Sequence, residues 1–442
     1  MYISIAFLTA LGLWRVFLSE IRMFMRPFPY FLLTCIFLSV SVVPVFAGWQ
    51  AVVAEEATEL PMLVTVDKSE QSALFYGQKA SELTSQKVPC SSGQVKGDKW
   101  REGDRKTPEG VYFVEMRRTA GLDYALYGNE AYTLNYPNPV DRLNEKSGHG
   151  IWIHGRGAPI VPRETKGCIA LNNPDIADLY TKVTTNTPVI LAEQVAPYLR
   201  AGSEVDVLKE KTQQWIAAWQ NRSPEFLQMF SPEAFTKSMD ESFEAFAQRK
   251  QRLFKRLPWI ITWTDDVNVL QGPDYWVTWF DQYYRAPNLV SQGIRRLYWQ
   301  KNNAGKFIIV GMEWKERKNG IEKAYLDAKA ANVHNFLDAW VTDWKSGSVE
   351  GYISRYAKNA VQGTRRGIKA IADHKIDVWQ RAKPAQIMLS DIEMTLSGRG
   401  LEVSMDQYYG DSTGYTDQGR KTLVLLPQGD QWVIVSEEWR SK

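Results

Sequence analysis

One stretch of the chain carries the strongest signal for both fold and chemistry. Residues 148–173 read GHGIWIHGRGAPIVPRETKGCIALNN. The alternation in GIWIHG predicts a short strand with Gly150, Trp152 and His154 on one face and His149 on the other. Because the two histidines point to opposite faces, and no cysteine or carboxylate stands nearby at ligand spacing, we reject a zinc site and predict no metal.

The same stretch places a single cysteine, Cys168, one loop after His154. The pair suits nucleophilic catalysis, in which a thiolate attacks while an imidazole takes the thiol proton and later supplies one to the leaving amine. An unperturbed cysteine pKa of about 8.5 leaves little thiolate at neutral pH, so a base within about 3 Å is required. Gly167 allows close approach of the backbone, and we expect the amides of Lys166, Gly167 and Cys168 to form an oxyanion hole. Taken alone, the pair fits a buried structural cysteine and a core histidine at least as well.

Short β-rich runs bounded by Gly and Pro lie on both sides of this stretch. They read MLVTVDKSEQSALFYG, GVYFVEMRR, YALYGNEAYTLNYP and TPVILAE. One helix is expected near Asp175 to Val183, with Asn173 as its N-cap and Pro174 at its first position. We therefore predict a mostly β domain over residues 60–200.

The motifs of this domain resemble the YkuD-type L,D-transpeptidase family. His154-Gly155, followed by Thr165-Lys166-Gly167-Cys168-Ile169, is similar to that family's HG and [ST]-x-G-C-[IV] signature. The upstream runs that also match are Gly97-Asp98-Lys99, Glu102-Gly103-Asp104, Lys106-Thr107-Pro108-Glu109-Gly110 and Tyr136-Pro137-Asn138. The resemblance spans about residues 60–195 and implies a β-sandwich catalytic domain.

The resemblance implies a role for each residue of the signature. It makes Cys168 the acyl-forming nucleophile and His154 the base, with the backbone carbonyl of Gly155 orienting the imidazole, and it implies no cofactor. Four residues are candidates for substrate binding: Trp152, Arg156, Arg163 and Thr165. Arg156, Arg163 and Lys166, in the loop between His154 and Cys168, could meet the carboxylates of peptidoglycan stem peptides, although a solvated loop explains them equally well.

Two departures from the family pattern bear on the reaction. The family commonly has Arg two residues after the cysteine, where this chain has Ala170, and Thr165 replaces the more usual Ser. The missing arginine is typical of the subgroup that includes YafK-like proteins and the cell-shape-determining L,D-carboxypeptidase of helical bacteria, which also joins this domain to a C-terminal cone-shaped module. The resemblance leaves two outcomes open: transfer of the acyl group to an amine, which makes a cross-link, and transfer to water, which trims the stem.

Beyond residue 205 the chain repeats itself at a constant spacing. Trp215 and Trp219 recur 125 residues later as Trp340 and Trp344, Asp281-Gln282-Tyr283-Tyr284 as Asp406-Gln407-Tyr408-Tyr409, Arg295-Arg296 as Arg420-Lys421, and Glu313-Trp314 as Glu438-Trp439. A constant offset predicts a tandem duplication with almost no net insertion. Two or three helices precede about four strands in each copy, which indicates α+β domains.

These two copies, over residues 205–318 and 328–442, resemble the cone-shaped nuclear-transport-factor-2-like (NTF2-like) fold. The resemblance rests on the pattern of elements and on no catalytic motif. The paired tryptophans have i,i+4 spacing, so we expect them to line a helix face and pack on the sheet. The alternative is an aromatic pocket for a sugar or a peptide.

The N-terminus has the pattern of an export signal. Residues 31–47, FLLTCIFLSVSVVPVFA, are apolar, follow Arg22 and Arg26, and end in the small-residue pattern Val45-Phe46-Ala47. We expect residues 1–47 to be a signal peptide cleaved after Ala47, residues 48–59 to be a linker, and the protein to reside in the periplasm or cell envelope. The alternative is a membrane anchor, since about 20 apolar residues can span a bilayer. Membrane association is expected only if the signal is not cleaved.

Cys90, in VPCSSG, would be the other thiol of the mature chain, because Cys35 lies within the predicted signal. We expect Cys90 to be a semi-buried strand residue near the site. A disulfide with Cys168 is the alternative, and it would switch off the nucleophile.

Charge and motif together narrow the function. The 442 residues hold 53 Lys and Arg against 50 Asp and Glu, a net charge of +3, and this near-neutrality argues against a nucleic-acid partner. We expect an exported cysteine enzyme, an L,D-transpeptidase or L,D-carboxypeptidase that acts on tetrapeptide stems of peptidoglycan through an acyl-Cys168 intermediate and influences cell-wall structure and cell shape. The alternative is a non-catalytic scaffold whose tandem modules bind the wall or a protein partner.

Overall fold

The computed structural model describes residues 48–54, 62–79, 82–179, 182–198, 203–265, 267–287, 289–428 and 431–441. The predicted signal peptide lies outside the described residues. From Ala47 onward the chain forms one compact unit. None of the helices in the described residues combines the length and the apolar character needed to cross a membrane.

The N-terminal domain is mostly β, as predicted. Its strands are β1 (Gln50–Ala54), β2 (Leu63–Asp67), β3 (Ser72–Lys79), β4 (Glu82–Pro89), β5 (Gly110–Arg118), β6 (Ala131–Leu134), β7 (Trp152–His154), β8 (Ile169–Ala170), β9 (Pro188–Ala192) and β10 (Gln194–Tyr198). Its helices are α1 (Tyr124–Tyr127), α2 (Pro139–Leu143) and α3 (Asn173–Leu179). Eight of the strands form one sheet in the order β4-β3-β2-β9-β5-β6-β7-β8, and β1 pairs with β10 in parallel.

Three local expectations need correction. The predicted linker, residues 48–59, contains β1, because Ala51 and Val53 alternate into a buried face and give the segment a reason to pair. The run YALY belongs to α1 and not to a strand, because the Asp123 side chain caps the N–H groups of Ala125 and Leu126. The helix predicted from Asp175 begins at Asn173.

Two α+β domains follow. The first contains α4 (Ser203–Gln220), α5 (Glu225–Gln228), α6 (Pro232–Ser238), α7 (Phe243–Arg256), β11 (Ile261–Thr264), β12 (Asn268–Gln271), β13 (Trp276–Ala286), β14 (Leu289–Lys301) and β15 (Phe307–Glu316). The second contains α8 (Ile321–Lys345), α9 (Val349–Ser354), β16 (Tyr356–Gln362), β17 (Arg365–Arg366), α10 (Ile368–Arg381), β18 (Pro384–Ser397), β19 (Gly400–Asp411), β20 (Thr416–Gln428) and β21 (Gln431–Ser441). Their sheets run β11-β13-β14-β15, with β12 also on β13, and β17-β16-β21-β20-β19-β18.

The repeat is present in three dimensions, with a one-residue shift in one strand. Arg295 of β14 pairs with Trp314, and in the second copy it is Lys421 of β20 that pairs with the equivalent Trp439. Arg295 therefore corresponds to Lys421, and not to Arg420 as the constant spacing predicts. The second copy has one residue more before this strand and one fewer after it, so the two changes cancel in the overall offset.

The paired tryptophans pack inside their domains. Trp215 and Trp219 lie in one hydrophobic core and Trp340 and Trp344 in another, and both pairs have ring centroids 5.1 Å apart. Both pairs occupy the helix face that meets the sheet, which is the arrangement expected from i,i+4 spacing.

The first α+β domain is joined to the N-terminal sheet through a shared core. Alternate residues of β5 point to opposite sides: Tyr112 and Val114 enter the core of the N-terminal domain, while Val111 and Phe113 pack with β13 and β14 of the next domain. Strands β2 and β9 are buried along their whole length because one face of each lies in the N-terminal core and the other in the shared core. The interface is also polar in places, since Tyr275 Oη accepts from Val111 N at 2.8 Å.

Candidate active site

Strands β7 and β8 bring His154 and Cys168 to one face of the sheet. The two strands are parallel, with His154 opposite Ala170 and Ile153 opposite Ile169. Since side chains alternate along a strand, residues 152 and 154 share a face with residues 168 and 170. Cys168, which directly precedes β8, is therefore a diagonal neighbour of His154 on that face.

The imidazole of His154 is held by its own neighbour. His154 is only 4% exposed, and its Nδ1 lies 2.6 Å from the carbonyl oxygen of Gly155. Because a carbonyl can only accept, Nδ1 carries the proton and Nε2 keeps its lone pair. Burial lowers the pKa of His154, although the hydrogen bond to Gly155 opposes this effect. The geometry leaves a neutral imidazole whose basic nitrogen is Nε2.

The side chain of Cys168 is partly buried. Burial raises the pKa of Cys168, whereas the Trp152 backbone N–H and the Lys99 ammonium act in the opposite direction. Cys168 Sγ lies 3.5 Å from the carbonyl oxygen of Gly150, to which the thiol donates. The resting pair is therefore a thiol beside a neutral imidazole.

A short hydrogen-bonded loop sets the position of Cys168. Thr165 Oγ1 donates to the Cys168 carbonyl at 2.6 Å and accepts from Gly167 N at 3.1 Å. Gly167 has φ +133°, and a Cβ at this position would lie 2.8 Å from the backbone oxygen of Lys106. Only glycine fits here without displacing the upstream loop. The Gly167 N–H donates to Thr165 and is not free to bind an oxyanion. The amides of Lys166 and Cys168 are the remaining candidates for the predicted oxyanion hole.

The four proposed substrate-binding residues have different surroundings. Arg156 pairs with Glu164 at 2.8 Å, and Arg163 donates to the Lys68 carbonyl at 2.7 Å. Thr165 is buried in the loop just described. Trp152 is half-buried on the face that carries His154, and its side chain makes no hydrogen bond to another of the described residues. The contacts of Arg156, Arg163 and Thr165 favour structural roles for them.

Aromatic and basic groups beside Trp152 were not identified from the sequence. The Tyr127 ring, on α1, lies 5.1 Å from both the Trp152 and His154 rings. Arg118 Cζ lies 5.2 Å from the centre of the Trp152 ring. Tyr124, which is on α1 with Tyr127, is exposed. The sequence feature that indicates α1 is Asp123 as a helix N-cap with Gly128 as the C-cap. The β-rich sequence on both sides of it favoured a strand.

The upstream motif residues form buried ion pairs around the site. Lys99 Nζ lies 2.7 Å from Asp104, and Lys146 Nζ lies 2.7 Å from Asp98. Lys68 Nζ lies 2.7 Å from Glu109, and both of these side chains are buried. The first pair closes the 97–110 loop on itself, and the other two attach it to Lys146, after α2, and to Lys68, after β2. Thr107 Oγ1 connects the loop to the Cys168 segment by donating to the Gly167 carbonyl at 2.9 Å.

The second thiol of the described residues has no place in this arrangement. Cys90 is buried, and both Cys90 and Cys168 are free, so the structure contains no disulfide between them. Burial, followed by the charge of Asp67, raises the pKa of Cys90 to about 12. Within the described part of the chain, no group of three or more His, Cys, Asp or Glu side chains is placed to hold a metal ion.

Fold and site define a class of protein: a mostly β domain with His154 on β7 and Cys168 directly before the parallel strand β8, followed by two α+β cone-shaped domains. Residues 61–191 match the L,D-transpeptidase catalytic domain family, YkuD. Residues 207–312 and 332–438 each match the Cds6 C-terminal NTF2-like domain. Residues 61–191 thus form a YkuD-type L,D-transpeptidase catalytic domain, and two NTF2-like domains follow it.

Curated relatives and solved structures are similar to parts of the chain. The chain is 32% identical over 127 residues to YafK of Escherichia coli (strain K12), a provisionally named L,D-transpeptidase, and the match covers 28% of this chain and 48% of YafK. The matched part thus spans about half the length of the curated relatives. Bd1075 of Bdellovibrio bacteriovorus shows 24% identity and a TM-score of 0.48, covering 60% of this chain and 96% of Bd1075. The helical cell shape determining protein Pgp2 from Campylobacter jejuni shows 27% identity and a TM-score of 0.47, covering 57% of this chain and 91% of Pgp2.

Proposed function

We propose that this protein is an exported peptidoglycan-modifying cysteine enzyme, an L,D-transpeptidase or L,D-carboxypeptidase. Its substrates are the tetrapeptide stems of peptidoglycan, and the bond it breaks joins an L-configured centre to the terminal D-Ala. The observation that carries the proposal is the neutral His154, held at Nδ1 by Gly155 and sharing one face of the sheet with Cys168.

The first half of the reaction forms an acyl-enzyme. Cys168 gives its proton to His154 Nε2 as Sγ attacks the carbonyl carbon of the scissile amide. The N–H groups of Lys166 and Cys168 donate to the oxyanion that develops on the carbonyl oxygen. His154 then protonates the amine as the C–N bond breaks, so D-Ala leaves and the stem stays attached to Cys168 as a thioester.

The second half of the reaction transfers the acyl group. His154, neutral again, takes a proton from the acceptor as the acceptor attacks the thioester carbon. The carbon–sulfur bond then breaks, and the proton returns to the Cys168 thiolate. Water as the acceptor gives a tripeptide carboxylate, and the side-chain amine of a neighbouring stem gives a new amide cross-link. Both outcomes use the same acyl-Cys168 intermediate.

Trp152 and Tyr127 provide the surface on which the stem lies in this proposal. The Tyr127 ring contacts both the His154 and the Trp152 rings, and Arg118 lies over Trp152, where it can meet a stem carboxylate. Arg156 and Arg163 are already engaged with protein groups. The candidate substrate contacts therefore move from the 156–163 loop to α1 and the end of β5.

The location and physiological role follow from this substrate. Peptidoglycan lies outside the cytoplasmic membrane, so the enzyme works in the periplasm or cell envelope and residues 1–47 direct its export. Changing the supply of tetrapeptide stems changes the cross-links that the wall can form. We propose that the enzyme influences cell shape in this way.

Incubation of the purified protein with disaccharide tetrapeptides, followed by mass spectrometry, tests the proposal. We expect loss of D-Ala or a new cross-linked dimer with the wild-type protein, and neither product with Cys168→Ala. Cys90→Ala is the matched control, because it removes the other thiol of the described residues from a buried position and should leave the products unchanged. Equal product from wild type and Cys168→Ala would refute the proposal.

The competing function is a scaffold in which the two NTF2-like domains do the work by binding the wall or a protein partner. The duplication favours it, since two copies of a module without a catalytic motif have been retained. In cells, Cys168→Ala separates the two functions: a variant that restores normal shape to a deletion strain supports the scaffold, and one that fails to do so supports the enzyme.

A further inference from the structure

Gly48, the residue that follows the predicted signal peptide, lies against two glutamates of the catalytic domain. A Cβ on Gly48 would collide with the Cβ of Glu193, and it would lie 2.7 Å from Glu193 Cγ and 3.2 Å from Glu109 Oε1. Only glycine therefore fits here without displacing Glu193. The next residue, Trp49, donates its backbone N–H to Glu109 Oε2 at 2.6 Å. The chain thus contacts both carboxylates just before β1 begins.

Backbone hydrogen bonds fix this contact on the other side of Trp49. The Trp49 carbonyl accepts from the N–H groups of Glu193 and Gln194 at 3.1 and 3.3 Å. From Gln50 onward the chain pairs in parallel with β10. The position of Gly48 beside the glutamates is therefore set by strand pairing as well as by side chains.

The two glutamates share one ammonium group. Lys68 Nζ donates to Glu109 Oε1 at 2.7 Å and lies 3.6 Å from Glu193 Oε2. Glu193 Oε2 is buried and accepts no hydrogen bond from the described part of the chain. The other oxygen of Glu193 lies 3.7 Å from Arg163 Nη2, which donates to the Lys68 carbonyl. Buried carboxylate oxygens accept hydrogen bonds in most native structures, so Glu193 lacks a donor.

Cleavage of the predicted signal after Ala47 would create such a donor at this point. The amide N–H of Gly48 would become an α-ammonium group, with three N–H donors and a positive charge. An α-amino group has an ordinary pKa of about 7.7–8.0 and is mostly protonated at neutral pH. The small-residue pattern that directs cleavage ends at Ala47, so it gives no reason for a glycine at position 48, whereas the contacts with the glutamates do.

Glu109 connects the same point to the candidate nucleophile. Lys68 Nζ, which Glu109 binds, also donates to the Thr107 carbonyl at 3.3 Å. Thr107 Oγ1 donates in turn to the carbonyl of Gly167, the residue before Cys168, at 2.9 Å. A series of contacts through buried side chains therefore runs from the start of β1 to the segment that carries Cys168.

We propose that the α-ammonium group of Gly48, which export creates, binds Glu193 and Glu109 and makes the processed chain the stable, fully active form of the enzyme. A signal peptidase of the cell envelope hydrolyses the amide between Ala47 and Gly48. Water supplies the oxygen of the new Ala47 carboxylate, and its protons convert the Gly48 nitrogen to an ammonium group. The inference rests on the export signal and the reaction in the proposed function, but the ion pair itself can be tested without either.

Melting temperatures of two proteins with defined N-termini test the ion pair. One protein begins at Gly48 and the other keeps Phe46-Ala47, and each is released from a fusion partner that leaves no extra residue. We expect the protein that begins at Gly48 to melt about 2–4 °C higher. Equal melting temperatures would overturn the proposal.

Two substitutions show whether Glu193 causes the difference. With Glu193→Gln we expect the two N-termini to give the same melting temperature, because the charge that pairs with the ammonium group is gone. Glu70→Gln is the matched control, since Glu70 forms an exposed ion pair with Lys87, and it should keep the difference. A difference that persists with Glu193→Gln would show that the two extra residues act sterically, and it would overturn the proposal.

N-terminal sequencing and activity complete the test. Protein recovered from the cell envelope should begin at Gly48, and a chain that begins elsewhere would overturn the proposal. The protein that begins at Gly48 should release D-Ala about threefold faster or more than the extended one. Equal rates would overturn the connection to Cys168. A melting difference without D-Ala release from either protein would support the ion pair and reject the proposed reaction.

Discussion

At the scale of single residues, the candidate chemistry depends on the state of one imidazole and one thiol. The Gly155 carbonyl fixes the proton of His154 on Nδ1, and burial lowers the pKa of the imidazole. Burial also raises the pKa of the Cys168 thiol. Both groups are therefore uncharged near neutral pH, and the proton must move from sulfur to nitrogen as the substrate is attacked.

This charge state predicts the dependence of the reaction on pH. Because His154 must be neutral and its pKa lies below 6.5, we expect kcat/KM to fall only on the acid side of that value and to stay level through pH 8. The measurement is the rate of D-Ala release between pH 4.5 and pH 9, with the exposed His149→Gln variant as the control that keeps the same profile. A fall in kcat/KM between pH 7 and pH 8 would instead indicate that the active form is a thiolate and imidazolium pair.

Thr165 tests how the nucleophile is positioned. Its hydroxyl joins the Cys168 carbonyl to the Gly167 N–H, so Thr165→Val removes both hydrogen bonds with little change in volume. We expect kcat to fall by about tenfold or more with little change in KM, because the thiol is displaced from its attack position. Thr165→Ser keeps the hydroxyl and should retain activity. Full activity of Thr165→Val, or equal losses in both variants, would argue against this role.

The sequence predicts that Cys168 and His154 act as a pair, and the structure places both on one face of the sheet. The surroundings of the arginines could not be predicted. Strand alternation and motif spacing are local, and they place both residues of the pair. Arg163 contacts the carbonyl of Lys68, which is 95 residues away in the chain. Such a contact depends on how distant strands pair, and nothing in the 156–168 loop itself indicates it.

At the scale of the elements, short segments carry the candidate site. Strands β7 and β8 contribute three and two residues, and α1 is a single turn. Long hydrogen-bonded ladders are absent from these short elements. Ion pairs such as Lys99 with Asp104 stabilise the 97–110 loop instead. Hydrophobic periodicity detects long elements best, which is why α1 was assigned to a strand and the one-residue shift between β14 and β20 was missed.

Glu437 should determine the stability of the second NTF2-like domain. Glu437→Met leaves Lys375 and Lys421 buried without a counter-ion, so we expect a loss of about 3–5 kcal/mol in the free energy of unfolding. The neighbouring Glu438→Met is the control, because Glu438 lies on the other face in an exposed ion pair with Arg399 and should cost less than about 1 kcal/mol. Urea denaturation measures both, and equal losses would contradict the prediction.

The same carboxylate predicts an acid dependence. The pKa of Glu437 is about 2 in the folded domain, against an ordinary value of 4.5. A lowered pKa contributes stability that is complete above the unfolded value and is lost as the pH falls from 4.5 toward 2. The unfolding free energy of the wild type should therefore decline over this range more steeply than that of Glu437→Met. Parallel curves would show that the pair is not coupled to folding.

At the scale of the whole molecule, the catalytic sheet and the first NTF2-like domain share one core. Phe113 of β5 packs edge-on against Trp279 of β13 at 5.6 Å, and Arg296 bridges Glu313 and Asn186 across the interface. The apolar residues of β5 and β9 were recognisable in the sequence. Which face they would present to another domain was not, because a strand covered by its own core and one covered by a neighbouring domain have the same apolar pattern.

A shared core predicts that these two domains unfold together. Trp279→Ala removes a buried ring from the interface and should cost about 3–5 kcal/mol. We expect enzymatic activity and the tryptophan fluorescence transition to be lost at the same, lower temperature. Trp263→Ala, at a tryptophan that is 53% exposed in the same domain, is the matched control and should change stability by less than about 1 kcal/mol. Separate transitions with unchanged thermal stability of the activity would show that the domains are independent.

The central claim is that Cys168 carries the substrate's acyl group during turnover. Acid quenching of the enzyme with a disaccharide tetrapeptide, followed by mass spectrometry of the proteolytic peptide that contains Cys168, observes this state directly. We expect a thioester adduct with the mass of the stem after loss of D-Ala, present on Cys168 in the wild type and absent from Cys168→Ala, while Cys90 remains unmodified. Release of D-Ala by an enzyme that never carries such an adduct, or by Cys168→Ala itself, would contradict the account.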